Sequence, residues 1–376
     1  MQNVHSYIIH INKEKSGDRM SNLKDIYNYE FVQKLTHTIK KEYPSFDASK
    51  CQTLIFREDW EGLALKQRMR RITVSLYETL PSKFNEALTI LYKTAPHFTG
   101  LSGIIFPDYV EQYGLEHWEE SMGALETFTQ YSTSEFAVRP FLLLNQERMI
   151  EQFLEWSCHP NDHVRRLASE GSRPRLPWGI SIPSFKSDPS PILPILHNLI
   201  QDESLYVRKS VANNLNDISK THPALLADIA AKWYGKHHDT DWIIKHAYRT
   251  LLKKGDKQAL SVFGYEDDES IRLQHFTCSP DRISIGESLS FSFQIHSAKN
   301  TKVRAEYAID YVKARGQRNK KVFKITEIDI HQGETRAYSK THSFRDLSTR
   351  KHYKGVHTIT IIINGTPKES LDFIVN

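Results

Sequence analysis

Two segments of this chain, HPNDHVRRLASEGSRPRLPW at residues 159–178 and LYVRKSVANNLNDISK at residues 205–220, align on a Val-Arg pair and restrict the fold more than any other feature. Val164-Arg165 is followed by Leu167 and Ala168, and Val207-Arg208 by Val211, Leu215 and Ile218. Apolar residues three and four apart line one face of an amphipathic helix. Each segment opens on a helix-start signal, Asn161-Asp162 after Pro160 in one and Asp202-Glu203-Ser204 in the other, since short polar side chains accept hydrogen bonds from the first unpaired backbone amides. Weaker copies stand at Val138-Arg139 and Ile244-Lys245. The intervals, roughly 26, 43 and 37 residues, fall around the period of stacked two-helix repeats of the HEAT type, with a short first step. Such a pair cannot bury its apolar face alone, so a mainly α chain that stacks its repeats into a solenoid is expected.

The helical pattern runs to about Leu260 and breaks at SVFGYEDDESIRLQHF (residues 261–276). From Thr277 onward β-branched and aromatic residues alternate with polar ones, as in SLSFSFQ (288–294), VRAEYAI (303–309) and VHTITIII (356–363), the period of two of a half-buried strand. Turn signals recur at Gly286, Gly333 and Asn364-Gly365. The expected organisation is an N-terminal extension (1–20), a HEAT-like repeat domain (21–272) and a small all-β sandwich of immunoglobulin-like type (277–376) with roughly seven strands and no inter-sheet cysteine pair. A length of 376 residues fits two cores.

No apolar run reaches the ~18 residues a membrane span needs, and the N-terminal apolar patch is too short and polar for a secretory signal. Cys51, Cys158 and Cys278 lie far apart with no Cys-x-x-Cys pair, which argues against disulfide frameworks and zinc sites and for a reducing cytoplasm. Phosphate-loop, dinucleotide and His-Glu-x-x-His signatures are absent. His237-His238 beside Asp239 and Asp241 reads as a polar connection between helices rather than a metal site.

Net charge is only +5, but the cations are unevenly spread. Arg139, Arg165, Arg166, Arg173, Arg175, Arg208 and Lys209 crowd the repeat helices and the loop after the first, with Asn213 and Asn214 beside them. Local density of this kind suits phosphate contact, where each contact releases counterions. An arginine after valine in such repeats also commonly joins a structural ladder with acidic neighbours, and both readings stand for Arg165 and Arg208. A second basic cluster, Lys313, Arg315, Arg318, Lys320, Lys321 and Lys324, surrounds Gly316, and a third holds Arg345, Arg350, Lys351 and Lys354. Edge strands also carry lysine to discourage pairing, but the density around Gly316, above all Arg315, Arg318, Lys320 and Lys321, favours phosphate.

The strings SEFAVRPFL (134–142), HVRRLASEGSRPRLPW (163–178) and SVANNLNDISK (210–220) resemble the signature blocks of the AlkC family of bacterial DNA alkylation repair glycosylases, a HEAT-like group related to AlkD. The resemblance extends through FPDYVEQYGLEHWEESM (106–122), and the β-rich tail is similar to the immunoglobulin-like domain of some members. It implies a monomeric solenoid that wraps double-stranded DNA and hydrolyses the N-glycosidic bond of cationic methylated bases, chiefly 3-methyladenine and 3-methylcytosine, with little extrusion of the base. By motif, its catalytic residues match Glu135, Glu170, Trp178 and Asp217.

Those residue types suit that reaction. A base methylated at a ring nitrogen leaves as a neutral molecule, so no general acid, metal or cofactor is required, and positive charge accumulates on the sugar. A carboxylate beside that sugar attracts it more strongly in the transition state than before, a second can orient the attacking water, and an indole face stabilises the same charge. At ~100° per residue, Glu170 and Asp217 share a face across adjacent repeats, whereas Glu135 falls out of phase. Each residue also has a duller use: Glu135 at a helix N-terminus, Glu170 paired with Arg166 one turn back, and Trp178 as a plug for the core. Asp217 near a helix C-terminus is awkward for a purely structural role. A non-catalytic DNA- or protein-binding scaffold on the same fold is the alternative.

Overall fold

The protein, a computed structural model, is described over residues 23–266, 269–347 and 351–376. The expected extension at residues 1–20, and Arg350 of the third basic cluster, lie outside the described residues. The helices, in chain order, are α1 (Tyr29–Glu42), α2 (Ala48–Ile55), α3 (Leu65–Tyr77), α4 (Phe84–Thr94), α5 (Ile105–Tyr113), α6 (Trp118–Thr129), α7 (Val138–Leu144) and α8 (Gln146–Ser157). There follow α9 (Asp162–Gly171), α10 (Pro183–Ser187), α11 (Leu193–Asn198), α12 (Leu205–Ile218), α13 (Pro223–Trp233), α14 (His238–Ala247), α15 (Arg249–Lys254) and α16 (Lys257–Val262). None among the described residues is long and apolar enough to cross a membrane.

Two compact units result. The first takes in the described residues up to 221 together with 233–247. Within it α3, α5, α6, α9, α12 and α14 form a row in which each helix packs on the next. Val164, Leu167 and Ala168 of α9, and Val207, Val211, Leu215 and Ile218 of α12, are fully buried; each larger aliphatic among them contributes about 1.5–3 kcal/mol by leaving water. Val164 and Val207 both occupy the third position of their helices, whereas Val138 opens α7 and Ile244 stands near the end of α14. The two strong copies are therefore structurally equivalent and the two weak ones are not. Asn161 caps α9 by accepting from the His163 amide at 2.9 Å. Ser204 caps α12 without a side-chain bond to it, because its hydroxyl donates to Asp162 of the neighbouring helix at 2.8 Å.

The second unit comprises residues 222–232 and the described residues from 248 onward. Its strands are β1 (Ile271–Ser279), β2 (Arg282–Ile283), β3 (Ser288–Ser297), β4 (Thr301–Val312), β5 (Arg318–Ile330), β6 (Thr335–Ser343), β7 (Gly355–Ile363) and β8 (Thr366–Val375). They form a three-stranded sheet, β1-β3-β6, and a five-stranded one, β2-β8-β7-β4-β5. Leu289, Phe291, Phe293 and Ile295 of β3 alternate into a core shared with Val303, Ala305, Tyr307 and Ile309 of β4 and Ile359, Ile361 and Ile363 of β7. β1 starts at Ile271, so the sandwich begins several residues before Thr277, and the two-residue β2 adds a short strand to the expected seven.

The alternation expected at 303–309 is replaced by continuous burial. Arg304 and Glu306, on the outer side of β4, are buried as an ion pair at 2.5 Å that also engages Glu327. The change of secondary structure is not the boundary of packing either, for α15 and α16 belong to this unit. Gly255 ends α15 at φ +70°, and a Cβ there would meet the Gly365 carbonyl at 2.9 Å; one on Gly365 would meet Leu260 at 2.5 Å. Both positions need glycine for the β7–β8 turn to seat on the helices.

Candidate active site

The site grows from the contact between α9 and α12. Beside its apolar stripe, α12 carries Ser210, Asn214 and Asp217 at intervals of four and three, all buried, and this polar stripe faces the polar end of α9. The Asn214 amide donates to the Ser169 carbonyl at 2.8 Å and to Ser172 Oγ at 3.2 Å. Ser210 Oγ donates to Glu170 Oε2 at 2.6 Å. Groups taken from water in this way must find partners or cost several kcal/mol, so the seam fixes the register of the two helices.

Three of the four expected catalytic residues meet here. Arg173, in the turn after α9, holds Glu170 Oε1 with Nη1 at 2.5 Å and Asp217 Oδ2 with Nε at 2.8 Å. Arg166 reaches Glu170 at 3.7 Å with one guanidinium nitrogen and pairs closely with Glu135 through the other, which also donates to Thr133 Oγ1 at 3.0 Å. The far side of Asp217 accepts from Lys220 Nζ at 2.8 Å. The line Glu135–Arg166–Glu170–Arg173–Asp217–Lys220 alternates in sign and crosses adjacent helices. Glu135 lies in the turn before α7 and enters the network from outside the α9–α12 seam, which is why its helical phase disagrees. Glu170 and Asp217 are each 1% exposed and Glu135 8%.

Burial opposes ionisation of Glu170, but Arg166 and Arg173, with the Ser210 hydroxyl, outweigh it and hold the carboxyl well below its ordinary range. The same balance raises Arg166 and Arg173, burial being overcome by their carboxylate partners and, for Arg166, also by Tyr206, whose ring centroid lies 5.2 Å from the guanidinium. The position of Asp217 near the C-terminus of α12, awkward in sequence, is met by Arg173 and Lys220. Glu170 does pair with Arg166 one turn back, and with Arg173 as well.

Trp178 stands apart. It is 54% exposed and does not plug the core. Its backbone has φ +64°, a region that bulky residues seldom occupy.

The expected DNA contacts divide. Arg139 is wholly buried and donates to the carbonyls of Gly171 and Arg173 at 2.9 Å each and to that of Ile180; it braces the loop after α9 and presents no surface to a phosphate. Arg166 and Arg173 are spent on the carboxylates, and Asn214 on the seam. Arg165 grips Asp202 bidentately at 2.6 and 3.1 Å and the carbonyls of His159 and Pro160. Arg208 repeats the motif one helix on, with Asp239 at 3.0 Å and the carbonyls of Asp202 and Glu203. That is the arrangement of a structural ladder, in which these residues are engaged by protein partners. Lys209 is exposed, Asn213 and Arg175 are half-buried, and Arg175 donates to the Asp217 carbonyl at 3.1 Å. In the second unit Arg315, Arg318, Lys320 and Lys321 are all exposed, on the β4–β5 turn and the edge strand β5.

Residues to which the sequence assigned no role also belong here: Thr133, Ser169, Ser210 and Tyr206. The stripe of small polar residues at 210, 214 and 217 is the one signal that points to them. His237, His238 and Asp239 bring one ligand atom each within 4.8 Å of one another, but Arg208 already neutralises the carboxylate a metal would need.

A family model described as "DNA alkylation repair enzyme" matches residues 105–251, and one described as "Uncharacterised protein YhaZ, C-terminal Ig-like domain" matches residues 272–376. The uncharacterized protein YhaZ of Bacillus subtilis (strain 168) is 69% identical over 356 residues, covering 95% of this chain and 100% of that protein. The solved structure of the Pseudomonas fluorescens alkylpurine DNA glycosylase AlkC, bound to DNA containing an abasic site analog, matches with a TM-score of 0.92 at 38% identity, covering 95% of this chain and 100% of that one. The chain belongs to the AlkC family of DNA alkylation repair enzymes. The first model spans the whole carboxylate network from Glu135 to Asp217, and the second coincides with the sandwich. The family match thus covers both the helical region and the immunoglobulin-like β domain.

Proposed function

We propose that this protein is a monofunctional DNA glycosylase that hydrolyses the N-glycosidic bond of cationic alkylated bases, 3-methyladenine and 3-methylcytosine first, in double-stranded DNA. The observation that carries the reading is the convergence of Glu135, Glu170 and Asp217 on one network in a chain that matches an alkylpurine glycosylase over its full length. The HEAT-like row of helices is the scaffold, and a monomer in the bacterial cytoplasm is its simplest working form.

The chemistry follows from charge. The methylated base departs neutral, and the sugar it leaves approaches an oxocarbenium ion. Anions near that sugar must be ionised before the reaction begins, and the two buried guanidinia keep Glu170 so. Glu170 and Asp217 stabilise the sugar, Glu135 at the more open end of the network orients water, and the exposed indole of Trp178 faces the same charge. Preorganised charge in a dry site acts without reorganising solvent. Lys209 and Arg175 of the first unit, and Arg315, Arg318, Lys320 and Lys321 of the second, are the cations left for phosphates.

One observation favours a second reading. Glu170 and Asp217 are 1% exposed and fully paired, as in a structural staple, and a DNA-binding scaffold would keep them so. Incubating the full chain with methylated duplex DNA and chromatographing the released bases separates the two. Release of 3-methyladenine or 3-methylcytosine supports the glycosylase; binding without release supports the scaffold.

A further inference from the structure

We infer that Lys66 is a positioning residue for Trp178, clamping the backbone of the tryptophan loop beside Phe136, the neighbour of Glu135, so that its indole is held in one orientation. The inference rests on the glycosylase reading for its purpose and on geometry for its existence. Lys66 is the second residue of α3, over a hundred positions from Trp178. A cation in the first turn of a helix meets the positive end of the helix dipole, so nothing in α3 itself calls for lysine there. Its ammonium instead donates to the Trp178 carbonyl and lies 4.4 Å from the ring centroid of Phe136, the residue next to Glu135. Lys66 also lines both cavities around Phe136, one of about 100 Å³ with Asp108, Glu111 and Thr133, and a smaller one that reaches Trp178.

The loop has reason to need a clamp. Trp178 sits at φ +64° and is half-exposed. Strained conformations of this kind persist only where the surroundings over-determine them, and they gather at functional sites. The restraints are visible: Gly179 N closes a turn on the Leu176 carbonyl at 3.1 Å, Arg139 grips the loop at Gly171, Arg173 and Ile180, and Lys66 grips it at Trp178. Arg139 is buried and holds the fold, whereas Lys66 is exposed. It can therefore be removed without opening the core. With the indole half-exposed at the rim of that small apolar cavity, the backbone clamp is what fixes where it points.

The test is Lys66→Met in the full chain, which keeps the stem and removes the charge. With 5-fluorotryptophan incorporated and the Trp178 resonance assigned from Trp178→Phe, the 19F line of Trp178 is expected to shift or broaden while those of the other tryptophans and the thermal midpoint hold. Single-turnover base release at saturating enzyme is expected to fall about tenfold, to be restored in part by Lys66→Arg, and to show no further loss in a Trp178→Ala background. An unchanged Trp178 resonance overturns the clamp. So does a loss that persists in the Trp178→Ala background with a salt slope shallower by about one unit, the mark of a direct phosphate contact. If the unaltered protein releases no base at all, the glycosylase reading fails while the resonance still tests the clamp.

Discussion

Replacing Asp217 with asparagine separates catalysis from stability within the carboxylate network. The side chain keeps its shape and one carbonyl oxygen, so Arg173 Nε, now 2.8 Å from Oδ2, retains an acceptor. What disappears is one of three carboxylates set among Arg166, Arg173 and Lys220. Breaking a buried pair outright costs about 3–5 kcal/mol, but here Arg173 keeps Glu170 and the Lys220 side chain, 37% exposed, can turn to water. Loss of hydrogen bonds to a charged group, about 1.5–3 kcal/mol, is the better measure, and corresponds to a thermal midpoint lower by roughly 3–12 °C for a unit of this size. The catalytic loss is larger in proportion. A unit charge about 4 Å from the sugar at an effective dielectric near 20 contributes about 4 kcal/mol; if Arg173 offsets half of that field, about 2 kcal/mol remain, so base release should slow between about 30- and 1000-fold. The assay is single-turnover release of 3-methyladenine at saturating enzyme, well below the melting range, with DNA affinity measured in parallel. A rate within about threefold of the unaltered protein at equal affinity would falsify a catalytic Asp217. A rate that merely tracks the folded fraction would make it a staple.

Glu170→Gln should destabilise more, by about 3–5 kcal/mol, because two buried guanidinia lose their shared partner; chemical denaturation measures it. In the unaltered protein the Glu170 carboxyl lies below its ordinary value of 4.5, near 2, so the unfolded chain takes up its proton first. The contribution is complete above pH 4.5 and drains away as the pH falls toward 2, and a thermal midpoint flat across that interval would contradict it. Arg139→Met should lower the midpoint, because three loop carbonyls lose their donor, yet leave the salt dependence of DNA binding unchanged; a shallower slope would return Arg139 to the DNA surface. Neutralising Arg315, Lys320 and Lys321 together should weaken DNA binding and flatten log K against log salt by about 0.9 for each phosphate no longer neutralised. Fluorescence anisotropy at several salt concentrations reads both quantities, and an unchanged slope would leave those residues with edge protection alone.

Much of this protein is legible in its residues. The 3.6-residue stripe at 207, 211, 215 and 218 and the two-residue alternation at 288–294 describe faces, and a face that is apolar must be covered wherever the chain leads. Helices before 260, a β-sandwich from about 277, and Glu170 and Asp217 on one side of neighbouring helices all follow from such local periodicity. The partners of a charge do not. Arg139, Arg165, Arg166, Arg173 and Arg208 are the same letter in the sequence as an arginine reaching for phosphate, and only packing across separations of 31 to 44 residues reveals that carbonyls and carboxylates already hold them. Glu135 joins the network, Lys66 finds Trp178, and α15 and α16 go with the sandwich, for the same reason. Periodicity is a property of the local backbone, whereas the satisfaction of a buried charge or of a close glycine contact depends on which distant segment arrives beside it.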